Sequence, residues 1–314
     1  MAVIRHLPSE TRTNLLPVPR IDSEPSLSTL WSYIHPTLDL IIRSSWDDTS
    51  INRNPSPVSM EHRMGIHTAC YNYFTPHFKG GRSATVRGQD LYKEIDNCYA
   101  ATAQELVFHI PDDHTTIHYV LSAFDRYRAA AMSIQTLLHA VNSYHVDFTP
   151  DEDKWWFGIN DRTVKETYPP QKLSRELVVV NELKQWGYRD GGSAKLMTQA
   201  RACAEAASSP NRIVPLSSLA MRRFQTDFVK LILCVPMRRV NRDEDKPVSD
   251  GDGQVAPKGW LLHAIREWVE KDVGAKDLQL VAQLDSMLNT VGIRAHHPLR
   301  KELRKLVVQI SDVS

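Results

Sequence analysis

The side chains in this 314-residue chain that could do chemistry are scattered. His62 and His67 stand five apart, so on one helix they do not share a face well enough to hold a metal together. Asp151, Glu152 and Asp153 are consecutive; on a helix they would point in different directions, which suits a solvated loop better than a metal site. His296-His297 precede Pro298 at an expected helix start, where a surface or capping role is favoured. Lys79-Gly80-Gly81-Arg82-Ser83 is glycine-rich, but it follows no expected strand and lacks the phosphate-binding lysine of a P-loop. Cys70, Cys98, Cys203 and Cys234 lie far apart, without CxxC or Cys/His zinc spacing. Arg222, Arg223, Arg238 and Arg239 form a local basic region, expected to be a solvated helix face. No GxGxxG, HExxH or GxSxG is present, and no nucleophile, base and oxyanion site comes together. The expectation is a non-catalytic protein with no cofactor and no metal.

A different kind of chemistry is written in Met60–Thr75, MEHRMGIHTACYNYFT. At 3.6 residues per turn, Met60, Met64, His67 and Tyr71 fall on one helical face, and Ile66, Ala69, Cys70 and Tyr73 fall largely on another. Such a helix can bury one face in its own domain and offer the other to a partner. Large, adaptable Met and Tyr side chains suit docking. The competing expectation is a helix buried on both sides.

The elements that must position this stripe read as helices throughout. Residues 1–25 hold four prolines and little periodicity, as in a flexible arm. Ser26 caps a helix carrying Leu27, Leu30, Trp31, Ile34, Leu38, Ile41 and Ile42, which Pro36 is expected to kink or split. Asp47–Pro57 reads as a polar loop, with Ser59 as the next cap, and Lys79–Arg87 as a flexible connection. A third helix is expected from about Gln89 and a long fourth from Thr115 to His145, with Met132 in its apolar set. Asp147–Pro215 changes character: it holds Trp155-Trp156-Phe157, whose Trp155-Trp156 pair is expected to cover core rather than mark a contact, and short helices over 171–187 and 193–207. Helical periodicity returns at 216–239, 259–272, 276–291 and 298–309, around an exposed loop at 241–258. No alternating strand pattern occurs, and the fold class is all-α. Net charge of +1 suggests neither nucleic acid nor an anionic membrane as partner, and no apolar run approaches the ~20 residues of a membrane span. Isolated cysteines without an apolar leader fit reduced thiols, hence a cytoplasmic or nuclear protein.

In order along the chain, several segments resemble the N-terminal part of cullins, the elongated scaffolds of multisubunit ubiquitin ligases. Leu30-Trp31 to Ile42 resembles the first helix of the first cullin repeat. Thr68–Thr75 (TACYNYFT) is similar to the VYNYCT that ends the second in cullins binding Skp-type adaptors. Gly88-Gln89-Asp90-Leu91-Tyr92 matches the G-x-x-LY opening of the third. Phe124–Arg128 and the segment through Tyr144-His145-Val146 resemble the fourth and fifth, and Leu216–Phe228 with Leu261–Lys271 resembles the start of a second repeat.

The resemblance implies cullin-repeat-like bundles stacked into a stalk: a flexible arm at 1–25, a first bundle at 26–146, an insertion at 147–215 and a partial second repeat at 216–314. It implies an adaptor-binding tip on the second and fifth helices, adding Arg63, Ala140 and Tyr144 to Met60, Met64, His67 and Tyr71. The implied partner is a Skp-type, elongin C-type or BTB-fold adaptor, for which full-length cullins would compete. Arg63, His67 and Ala140 depart from the aromatic residues common in relatives, which puts affinity or adaptor identity in doubt. The matched region stops short of the domain that holds the RING subunit, so no RING partner is implied. The alternative expectation is a helical scaffold that has lost adaptor binding and makes its contacts through the middle segment.

Overall fold

Ser26 caps the helix Leu27–Ser44, with its Oγ accepting from the Thr29 N–H at 3.1 Å. The computed structural model describes residues 26–44, 58–75, 83–111, 115–149, 175–234, 261, 265 and 275–311. Outside them lie the expected arm, the loops at 47–57 and 241–258, Lys79–Arg82, Asp151–Asp153, Trp155–Phe157, Arg238 and Arg239. Among the described residues the secondary structure is helical, without a β-strand.

Helix α1 (Leu27–Ser44) buries Leu30, Ile34, Leu38, Ile41 and Ile42, the stripe its spacing calls for. It runs unbroken through Pro36, against expectation. Pro36 and Ser32, whose carbonyl loses its helical donor, are both exposed, so water can take the missing place. α2 (Met60–Phe74) packs on α1, and α3 (Ser83–Val107) and α4 (Thr116–Leu137) complete the surrounding bundle. α3 begins six residues before the expected start, with Ser83–Arg87 part of the helix. The expected long fourth helix is two: Leu138 leaves helical geometry at φ −99°, ψ 31°. Beyond it α5 (His139–Val141) runs into a π-helical turn, Asn142–Val146. Met132 is half exposed rather than core.

The middle segment supplies α6 (Arg175–Gln185) and α7 (Ala194–Ala206), packed on each other, and Leu183 and Trp186 enter the core. α8 (Leu216–Arg223) continues through a second π-helical turn, Phe224–Val229, into α9 (Lys230–Cys234). α10 (Ala275–Thr290) and α11 (Pro298–Ser311) form the last hairpin. His297 caps α11 through Nδ1, which accepts from the Leu299 N–H at 3.3 Å.

An expected boundary near residue 215 does not divide two cores. Phe224 stands 5.1 Å from the Tyr127 ring, 5.6 Å from Phe124 and 4.6 Å from Phe228, all fully or nearly fully buried. α8 thus packs directly on α4 and α3. The Tyr92 hydroxyl, on α3, donates to the Val214 carbonyl at 2.9 Å and accepts from its N–H at 3.2 Å. Asn142 and Gln135 accept from the first N–H groups of α8, those of Leu216 and Ser217, at 3.1 Å each.

The α7–α8 connection is organised by Arg222, which is buried and not on a solvated face as its neighbours in sequence suggested. Its guanidinium donates to the carbonyls of Arg212 (2.9 Å), Glu205 and Pro210 (3.3 Å each) and to the Ser208 hydroxyl (2.7 Å). Arg223 is paired with Asp96 of α3, Nε to Oδ1 at 2.6 Å. The Glu205 carboxyl, also buried, accepts from Ser218 Oγ at 2.6 Å. Burial pushes it up to about 7, against the opposing pull of Ser218, Arg201 and Arg222. Gly292, at φ +85°, lets the α10–α11 turn approach the main chain of α7, where a Cβ would stand 2.5 Å from the Ala207 nitrogen.

Two outcomes test this architecture. Phe224→Ala should cost about 3–5 kcal/mol in urea unfolding and lower the stability of the α1–α4 bundle along with α8. Glu205 binds its proton more tightly folded than unfolded. Its stabilising contribution is therefore full below about pH 4.5 and lost as pH rises through about 7, on the order of 3 kcal/mol. Glu205→Gln should remove that part of the decline in melting temperature across the window.

Candidate functional site

Serine again sets the start of α2: Ser59 Oγ accepts from the His62 N–H at 3.2 Å. His62 then turns inward, and its Nε2 lies 2.8 Å from Thr37 Oγ1 of α1, tying the first turn of α2 to its neighbour. Desolvation lowers the His62 pKa, as it does for any imidazole taken out of water. The face built from Ile66, Ala69, Cys70, Tyr73 and Phe74 is buried against α1, α3 and α4.

The opposite face stays open. Met60 is 71% exposed, Met64 54% and Tyr71 42%, and His67 is exposed with them. One helix thus carries large apolar side chains on two faces, and among the described residues only one of those faces is packed inward. Exposed methionines in a row are unusual, because each gives up its transfer free energy to water.

The π turn of α5 brings a second wall. Tyr144 is half-buried, with its ring 5.9 Å from Tyr71, edge-on, and 5.9 Å from Phe74, stacked at 27°. Phe74 in turn meets Tyr73 at 5.5 Å, so the exposed Tyr71 is backed by a ladder of rings that ends in the core. Arg63 is half-buried at the edge of this ridge.

Ala140 does not belong to it. It is 2% exposed and packs inward, which corrects its expected place on the contact surface. In an unbroken α-helix, residues 140 and 144 share a face. Here the Asp147 N–H donates to the Asn142 carbonyl at 2.9 Å, five residues back, and this wider turn changes the phase between them. Phe148, 65% exposed and about one turn beyond Tyr144, is a surface aromatic that periodicity did not single out. The only sequence cue to it was its position directly after the helix.

His145, next to Tyr144, points the other way. It is buried beside Gly88 and 5.4 Å from the Tyr92 ring, and burial pushes its imidazole down to about 4. Three of the thiols are similarly disarmed as nucleophiles: burial raises Cys70 to about 12 and Cys98 and Cys203 to about 11. Among the described residues no cluster of three or more His, Cys, Asp or Glu has metal-site geometry. None of the described helices is long and apolar enough to cross a membrane.

Comparison with protein-family models, with curated proteins and with solved structures gives no match to this chain.

The two faces of α2 should respond differently to substitution. Met64→Asp should change unfolding free energy by no more than ~0.5 kcal/mol, whereas Tyr73→Ala should cost about 3 kcal/mol or more. Urea midpoints of the two variants decide it, and a collapse of Met64→Asp would mean that the exposed face is core.

Proposed function

We propose that this protein is a non-catalytic helical scaffold that grips another protein with the ridge formed by α2 and the π turn of α5. The observation that carries this reading is the open row Met60, Met64, His67 and Tyr71 on a helix whose other face is fully used. Met side chains adapt to a partner's shape, and a tyrosine braced by other rings loses little freedom on binding. A contact of ~800 Å² per partner, with these residues as anchors, is enough for a specific interface.

The partner class follows from the resemblance of the α1–α5 segments to a first cullin repeat. That resemblance rests on the quoted motifs alone, with no matching relative behind it. On it, the ridge takes a Skp-type, elongin C-type or BTB-fold adaptor, in a cytoplasmic or nuclear setting that keeps the thiols reduced. The chain then competes with full-length cullins for the adaptor. Arg63 and His67 in place of aromatic residues favour an adaptor surface that differs from the usual one.

A second reading is favoured by Leu177, Leu196 and Met197, each exposed by 41–50% on α6 and α7. On this reading the middle segment makes the contact. Deleting that segment is a poor test, because Leu183 and Trp186 would leave the core with it. Surface changes separate the two. If the ridge binds, Met64→Asp with Tyr71→Ala should weaken adaptor capture at least tenfold while Leu196→Asp with Met197→Asp leaves it unchanged. Titrations with purified adaptors of the three types measure this; capture insensitive to the ridge pair defeats the first reading.

A further inference from the structure

The π turn that brings Tyr144 to the ridge is held from below by a contact with no obvious role in the core. Gly88 lies inside α3, where a glycine weakens the helix. The reason is its neighbour: a Cβ at position 88 would stand 2.5 Å from His145 Nδ1 and 2.8 Å from its Cγ. The imidazole therefore sits in a notch that only glycine leaves open, with Tyr92 alongside at 5.4 Å. Its Nε2 is buried and makes no hydrogen bond. An apolar side chain would fill core space without that cost, so packing alone does not account for a histidine here.

The rest of the turn is fixed in concert. Thr149 Oγ1 donates to the His145 carbonyl at 2.7 Å, and Asn142 Oδ1 holds the first N–H of α8. Adjacent residues in the turn point to opposite sides, His145 into the notch and Tyr144 onto Tyr71 and Phe74. A π turn carries one residue more than the α-helical turn it replaces, so a return to α geometry would rotate Tyr144 relative to α2.

We propose that His145 is the positioning residue of the ridge: seated against Gly88, it locks the π turn in the register that leans Tyr144 on Tyr71 and Phe74. The proposal rests on the ridge being the binding surface, but the lock itself can be read without any partner. In the intact 314-residue chain, acetylation of tyrosines by N-acetylimidazole, followed peptide by peptide, reports how well Tyr144 is held. His145→Ala empties the notch, and Gly88→Ala evicts the ring. Each should raise the acetylation rate of Tyr144 at least threefold, with Tyr119, at the far end of the bundle, unchanged. The double variant should be no faster than the faster single, since both changes break one contact.

Leu284→Ala, a cavity in α10, serves as the control for general loosening. If it raises Tyr144 acetylation as much as His145→Ala does, or if neither notch variant changes the rate, the lock is refuted. For an adaptor that binds the wild type, His145→Ala should weaken binding at least tenfold, and unchanged affinity would overturn the positioning role. Failure of every adaptor to bind the wild type would instead refute the ridge as an adaptor site, and the acetylation rates would still decide whether His145 sets Tyr144.

Discussion

Phe224 is the residue on which the union of this chain depends. Its ring fills the space between Phe124 and Tyr127 of α4, with Phe228 of its own π turn behind it. An aromatic side chain buries some 150–250 Å² and cannot be shed from such a site without leaving a large void. Because this contact crosses from the π turn after α8 to α4, the segments before and after the middle of the chain share one apolar interior. Polar groups then reinforce the same seam: Tyr92 on Val214, Arg223 on Asp96, and Asn142 and Gln135 on the open end of α8.

That shared interior is what leaves α2 half used. The bundle takes Ile66, Cys70, Tyr73 and Phe74 and leaves Met60 and Met64 exposed, with Tyr71 leaning on Tyr144 at one edge. A rigid back and a soft, open front are what a docking helix needs. The back is rigid because His62 is tied to Thr37 and because Phe74 and Tyr144 stack behind Tyr71. The front is soft because methionine has three rotatable bonds and a polarisable sulfur.

Where periodicity speaks for itself, the helices were legible in the sequence. The caps Ser26 and Ser59 start helices where serine was expected to, and the stripe of α1 matches its buried face. Spacing drew two faces on α2 but left open whether the second was buried as well. Features set by tertiary contacts were not legible. The break at Leu138 has no glycine or proline to announce it. The π turns leave no periodic trace, and that is why Ala140 was placed on the surface when it lies inside. Arg222 looked like part of a solvated basic stretch, because sequence cannot show that four acceptors from the Glu205–Arg212 segment converge on its guanidinium. For the same reason the α6–α7 hairpin read as an insertion although Leu183 and Trp186 help to fill the common interior.

The seat of the last hairpin differs in kind from the others. Gly292 meets α7 through main-chain atoms, with the Ala207 nitrogen and the Ala206 carbonyl carbon closer than any side chain would allow. A joint between two backbones constrains the identity of one position and leaves its surroundings chemically free. Over evolutionary drift, α10 and α11 could therefore exchange much of their outward-facing composition and keep their docking angle, provided that nothing larger than a hydrogen atom grows at residue 292.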